Sequence, residues 1–127
     1  MSFLTLGSGP RCREAGCMTT ELNMSGYEWS NAQDAAVREL FPGIRARSLW
    51  AGDNGAKAYF LELDPNSCWS GIDVHEPGPE EVFVVSGVFN DGVRDYPAGS
   101  FIHAPAGSSH IPQTTTGCTL FVFYPEG

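Results

Sequence analysis

The stretch Gly99-Ser-Phe-Ile-His103-Ala-Pro105-Ala-Gly107-Ser-Ser-His110 restricts the fold of this chain more than any other segment, because it carries the spacing G-x5-P-x-G-x2-H without a gap. Gly99 closes a turn, and Ser100 to Ala104 read as a short strand. Pro105 has no N–H to give to a ladder and ends that strand. Gly107 supplies the backbone freedom for a tight turn, after which His110 arrives at the start of the next strand. A histidine delivered by such rigid punctuation is well held for ligation, so the motif points to a β-barrel with a metal pocket.

The rest of the chain supports an all-β reading. From Ile44 onward, short apolar runs are broken by turn residues at brief intervals, which favours a sandwich or barrel over strand-helix alternation. Strands are predicted at Arg45 to Trp50, Ala56 to Leu63, Glu81 to Ser86, Val88 to Asn90 with a turn at Asp91-Gly92, Ser100 to Ala104, and Thr119 to Tyr124. Val82 to Val85 and Leu120 to Phe123 are apolar on both faces, as strands covered on two sides should be. Before the barrel, Ser30-Asn-Ala-Gln33 resembles a capping box, and Ala32, Ala36 and Leu40 recur at helical spacing until Phe41-Pro42-Gly43. One short helix is therefore expected at about 31–40. Residues 1–28 show little periodicity and read as a flexible N-terminal arm, leaving 29–127 as a single domain with its barrel at about 44–125.

Length and charge exclude several functions. A chain of 127 residues suits one domain and one pocket. Its net charge of −8, from 7 basic and 15 acidic residues, argues against a nucleic-acid partner and against anionic membrane surfaces. The opening Met-Ser-Phe-Leu-Thr-Leu lacks the basic flank and apolar length of a signal peptide, so a cytoplasmic protein is expected. Cys12, Cys17, Cys68 and Cys118 are expected as reduced thiols, since Cys12-x4-Cys17 has no second pair to complete a tetrahedral site.

Upstream of the opening motif lies His75-Glu-Pro-Gly-Pro-Glu80-Glu81-Val-Phe-Val-Val-Ser-Gly87, a Gly- and Pro-rich turn running into a strand that begins with two carboxylates. With His110 it supplies imidazole and carboxylate donors, the combination used by iron, manganese, zinc or nickel centres that keep positions open. The donor set does not choose among these metals.

These residues carry a resemblance. The stretch from about Phe41 to Pro125 resembles the cupin superfamily, and Glu80 to Asp91, Tyr96 to Ser100 and Pro105 to His110 look most like ChrR-type cupin domains. The resemblance implies a double-stranded β-helix, a jelly-roll barrel that often dimerises and holds one divalent metal through three histidines and a glutamate. It carries over to His110, and to Glu80, six residues before Gly87. The histidine pair departs from the pattern and leaves three registers. In one, His75 is the second histidine and Asp73 replaces the first, with Glu80 as the glutamate. A shorter turn puts Val74 and Glu76 in the histidine places. A third makes His75 the first histidine, Pro77 the second and Glu81 the glutamate. Strand alternation does not separate them, because Glu80 takes Val82 and Val84 inward and Glu81 takes Phe83 and Val85. The favoured ligands are His75, Glu80 and His110, with Asp73 or His103 as a fourth group and Phe83 and Phe101 as substrate-contacting walls.

Two functions from different classes follow. One is a small mononuclear non-haem metal enzyme, of dioxygenase, isomerase or cyclase type, acting on a small organic molecule, with Glu80 as general base if it is not a ligand. The other is a sensing or binding module, as the likeness to ChrR-type domains implies, although the chain before Phe41 is short for an accompanying anti-sigma domain. A metal-free barrel that binds a small ligand by shape is a third expectation. A homodimer is implied by the resemblance.

Overall fold

Val37 to Phe41 and Ile44 to Ala51 form an antiparallel hairpin across Pro42-Gly43, with Phe41 opposite Ile44 and Val37 opposite Arg47. In this computed structural model, which describes residues 21–127, that hairpin opens the barrel. The strands are β1 (Val37–Phe41), β2 (Ile44–Ala51), β3 (Lys57–Leu63), β4 (Ser67–Cys68), β5 (Asp73–Val74), β6 (Glu80–Asn90), β7 (Asp95–Pro97), β8 (Phe101–Ala104), β9 (Ser109–His110), β10 (Gln113–Thr114) and β11 (Cys118–Tyr124). The first twenty residues of the expected arm, with Cys12 and Cys17, lie outside the described residues.

The helix expected at about 31–40 is absent from that span, which holds one 3-10 turn, Ala32–Asp34, followed by β1. Two local facts explain the difference. The Ser30 hydroxyl does not cap a helix but donates to the Leu49 carbonyl at 2.7 Å, while the Asn31 side chain accepts from the Gln33 amide. A ten-residue helix with only two alanines and a leucine on its apolar face gains little from burial, whereas the same residues complete a backbone ladder on the edge of β2.

β6 organises the barrel. Its first half pairs with β8 on one side and β11 on the other, giving a large sheet in the order β1-β2-β3-β11-β6-β8. Its second half pairs with β7 and with β10, which continues to β4. One strand of eleven residues thus replaces the two expected around Gly87, and it curls the sheet into the double-stranded β-helix. The bend sits at Gly87, where φ is +77° and the β6–β11 register shifts between Thr119 and Leu120.

Alternation then resolves what the sequence leaves open. Glu80, Val82 and Val84 are buried, and Glu81, Phe83 and Val85 face outward. Beyond Gly87 the inward position moves to Phe89, at 1% exposure. These side chains meet Ile44, Leu63, Cys118, Leu120 and Val122 in one apolar core, which closes the barrel around its own interior. At roughly 25 cal/mol per Å2 of apolar surface removed from water, this core is the main stabilising term.

The outward face is different in kind. Arg47, Phe60, Phe121, Phe83 and Phe101 occupy one cross-strand row over five strands, each opposite the next. Glu81 and His103 form a neighbouring outward pair. Among the described residues, no helix is long and apolar enough to cross a membrane.

Candidate metal centre

His110 is placed by the motif that the sequence singles out. β8 ends at Ala104, the turn closes with the Ser108 amide donating to the Pro105 carbonyl at 3.0 Å, and Gly107 takes φ +85°. β9 then pairs with β5, setting His110 opposite Asp73 and Ser109 opposite Val74. His75 follows β5 directly. Its amide donates to the Ser108 carbonyl at 2.8 Å, and its carbonyl accepts from the Gly107 amide at 2.7 Å. Glu80 opens β6 on the inward face. Two short strands and one long one therefore bring together residues separated by up to 37 positions.

The resulting cluster is Asp73, His75, Glu80 and His110, each offering one donor atom, all within 4.8 Å of one another. His75 Nε2 lies 3.0 Å from His110 Nε2, 3.0 Å from Glu80 Oε1 and 3.7 Å from Asp73 Oδ2. His110 Nε2 lies 3.1 Å from Asp73 Oδ2 and 3.6 Å from Glu80 Oε1. Ligands about 2.1 Å from one ion stand about 3.0 Å apart at right angles and about 3.4 Å apart at the tetrahedral angle. The measured separations of 3.0 to 3.7 Å lie close to these values, so the four donors are near enough to converge on a single ion.

Hydrogen bonds on the outer side of the cluster orient two of its donors toward the others. The Ser108 hydroxyl donates to the Pro105 carbonyl at 2.6 Å, so at 2.9 Å from His75 Nδ1 it accepts the ring N–H. That fixes the His75 tautomer and turns the Nε2 lone pair toward the cluster. The Tyr124 hydroxyl donates to Glu80 Oε2 at 2.6 Å. With His75 Nε2 unprotonated, Glu80 Oε1 has no hydrogen-bond partner, although the residue is only 4% exposed. An unpartnered buried carboxylate oxygen is expensive in a protein and ordinary in a metal site.

Electrostatics point the same way. A protonated His75 gives its second proton to the Glu80 carboxylate, which raises its pKa above the usual histidine value; burial opposes this and Asp73 adds to it. Burial, followed by the Glu80 charge, pushes the Tyr124 phenol far above its ordinary range, so it remains a donor. The cluster forms one wall of a cavity of about 310 Å3 that Tyr59, Leu61, Trp69 and Tyr124 also line.

The structure sorts the candidates read from the sequence. Asp73, His75, Glu80 and His110 come together in the register with Asp73 in the first histidine's place. Glu76 lines the cavity from an exposed position but stands outside the cluster. Glu81 and His103 are elsewhere: His103 Nδ1 and the Glu81 carboxylate bond at 2.9 Å on the outer face. Phe83 and Phe101, expected as substrate walls, are 43% and 65% exposed on that outer face and do not line the cavity. Both corrections have one cause, since the strand that turns Glu80 inward turns Glu81 and Phe83 outward. Ser108 and Tyr124 bond to members of the cluster, and neither is singled out by the sequence. Ser108 lies inside the opening motif, and Tyr124 continues the inward period of Leu120 and Val122.

A double-stranded β-helix with an inward cluster of histidines and carboxylates beside a cavity is the architecture of a cupin. The comparisons make this specific. A family model described as the ChrR cupin-like domain matches residues 26–126, and the chain belongs to that family. No curated protein matches the chain significantly. Among solved structures, it is similar to Rhodobacter sphaeroides ChrR, an anti-sigma protein seen in complex with SigE. The TM-score is 0.63 at 24% identity, over 73% of this chain and 50% of that one. The chain thus spans about half the length of that relative. It is also similar to an RmlC-like cupin from Shewanella frigidimarina, with a TM-score of 0.69 at 19% identity over 80% of this chain and 93% of the other. The polyketide cyclase RemF from Streptomyces resistomycificus gives a TM-score of 0.66 at 20% identity over 80% of each chain. At these identities the likenesses concern the fold.

Proposed function

We propose that this chain holds one divalent metal ion through Asp73, His75, Glu80 and His110 and works as a small mononuclear metal enzyme on an organic molecule bound in the adjoining cavity. The observation that carries the reading is the buried, unpartnered Glu80 Oε1, aimed among three further donors spaced for a single ion. A bound ion would supply Lewis-acid or, for iron, redox chemistry at coordination positions the four side chains leave open. The protein's own residues do the rest. Ser108 orients His75, Tyr124 orients Glu80, and the apolar and aromatic walls exclude water and align the substrate. Dioxygenase, isomerase and cyclase chemistries all suit such a site, and iron, manganese, zinc and nickel all suit its donors.

Loading the purified chain with each of these metals tests the proposal. The expected result is about one ion per chain, lost on His110→Ala or Glu80→Ala. A chain that takes up no metal under replete conditions is instead a metal-free ligand-binding barrel. The family match favours a second reading, a sensing module of the ChrR kind. In that case metal loading would alter affinity for a partner protein and produce no turnover.

The reading includes a cytoplasmic homodimer. The outer row from Phe60 to Phe101 is apolar, in register and on the face opposite the cavity, which suits isologous pairing with a second copy. Sedimentation is expected to give a dimer at micromolar concentration, converted to monomer by Phe101→Asp; a wild-type monomer would remove this part of the reading.

A further inference from the structure

We propose that the cavity selects a small organic anion, whose charged end is held by Lys57 and Arg38 while donor atoms at its other end meet the metal positions. The inference rests on the metal-holding reading of Asp73, His75, Glu80 and His110 and names the ligand class for that site.

The chain has few cations, and their positions are informative. Against a net charge of −8, the described residues hold five: Arg38, Arg45, Arg47, Lys57 and Arg94. Arg45 and Arg47 are committed to carboxylates, bonding Glu62 at 3.0 and 3.1 Å, with Asp64 also taking Arg45 at 3.0 Å. Arg94 lies over the Tyr96 ring, 5.9 Å from its centroid. Arg38 and Lys57 have no ion pair among the described residues, and both line the cavity that the metal cluster faces.

Their placement follows from strand register. Arg38 is opposite Ala46, a buried inward residue, so it belongs to the inward face although its own position at the edge of the sheet is exposed. Lys57, the chain's single lysine, is opposite Tyr124, and its ammonium lies 5.8 Å from the centroid of that ring. Tyr124 in turn bonds Glu80. Lys57, Tyr124 and Glu80 therefore form one inward row across three adjacent strands, which sets Lys57 about 10 Å of backbone spacing from the metal cluster. That span suits a small molecule with two polar ends.

Charge arithmetic gives the sign. A divalent ion is neutralised by the Asp73 and Glu80 carboxylates, with His75 and His110 as neutral ligands. Three further charged side chains line the cavity: Lys57, Arg38 and the exposed Glu76. Lys57 and Arg38 thus set two cations beside a metal site whose own charge is cancelled, inside a strongly acidic molecule. An anionic substrate is repelled by most of this surface and attracted at one place. Carboxylate and phosphate groups share the chemistry that Lys57 and Arg38 recognise.

Calorimetric titration of the zinc-loaded full chain tests the inference with succinate, its neutral counterpart succinamide, and 3-phosphoglycerate as the phosphate-bearing arm. Succinate or 3-phosphoglycerate is expected to bind at least about tenfold more tightly than succinamide, and the stronger of the two names the anionic group. Lys57→Met and Arg38→Met are each expected to weaken the preferred anion roughly tenfold without changing succinamide binding or zinc content. Equal binding of succinamide, undiminished anion binding in both variants, or no anion binding up to about 10 mM would each overturn the proposal. Zinc stoichiometry is measured separately, so failure of the metal reading shows as missing zinc and failure of this inference shows as lost anion selectivity at full zinc occupancy.

Discussion

The Ser108 hydroxyl lies 2.9 Å from His75 Nδ1 and 2.6 Å from the Pro105 carbonyl, so it gives its proton to the carbonyl and receives one from the ring. The pair thereby sets which nitrogen of His75 faces Asp73, Glu80 and His110. Ser108→Ala removes the acceptor and frees the ring to adopt the other tautomer or to turn. Affinity for a divalent metal is expected to fall by about tenfold or more, with Ser108→Thr restoring it. Competition against a chromophoric chelator reads the change, and an unchanged affinity in the alanine variant would show that the contact does not position the ligand.

Glu80 is buried, with one carboxylate oxygen bonded to the Tyr124 hydroxyl and the other without a hydrogen-bond partner. Replacing it by Gln keeps the shape and an oxygen for the Tyr124 hydroxyl, and removes a buried charge with one unpartnered oxygen. At a pH above the raised His75 pKa, metal-free Glu80→Gln is expected to be as stable as the wild type, or more stable by about 1 kcal/mol. Metal is then expected to raise the wild-type melting temperature and leave that of the variant unmoved. A marked loss of stability in the metal-free variant would identify Glu80 as a structural group instead.

How much of this the sequence makes legible depends on where each residue gets its placement. The segment from Gly99 to His110 was readable because Gly, Pro and turn spacing act locally, and β8, the turn and β9 follow that pattern. The inward side of β6 was not readable, because Glu80, Val82 and Val84 and the alternative Glu81, Phe83 and Val85 are both largely apolar. Only pairing to β8 and β11, one shielding each side, decides between them. Tertiary pairing also overrides the capping signal at Ser30, whose hydroxyl is used by Leu49 in a strand far along the chain. Asp73 became a firm member of the cluster only through its cross-strand position opposite His110, a relation that spacing cannot express.

His103 provides a control on site membership. It shares a motif with His110 but bonds Glu81 on the outer face, with its side chain 55% exposed. His103→Ala and Glu81→Gln are expected to leave metal stoichiometry and affinity unchanged and to alter stability by at most about 1 kcal/mol. Loss of metal from either variant would place the centre on the wrong side of the sheet.

Acid sensitivity should arise away from the metal cluster, at the turn joining β6 to β7. Burial pushes the Asp91 carboxyl upward, but bonds from the Tyr96 hydroxyl and the Arg94 and Val93 amides outweigh it, leaving the pKa below the usual aspartate value. A depressed folded-state pKa means stability that is present above the unfolded value and lost as pH falls through the folded one. Asp91→Asn is therefore expected to be less stable than wild type by about 1 to 2 kcal/mol at neutral pH. As pH falls through the lowered folded-state value the two proteins should converge, and denaturant midpoints measured from neutral into acid pH check it.

Gly87 concentrates the demands of the fold in one position. β6 must serve two sheets, so it bends there with φ +77°, and the chain of Gly117 and Cys118 crosses close against it. A Cβ at Gly87 would collide with the Gly117 carbonyl oxygen and stand 2.8 Å from the Cys118 Cα. Both neighbours are backbone in the adjoining strand and cannot rotate away. Gly87→Ala thus combines left-handed strain with a clash, a loss of about 3 kcal/mol or more, and a melting temperature lower by roughly 10 °C or more is expected. Because Glu80 and Phe89 take their inward directions from opposite sides of this bend, the variant should also lose metal affinity while every proposed ligand is intact. A variant that melts and binds metal like wild type would mean that the bend can form elsewhere in β6 and that Gly87 does not determine it.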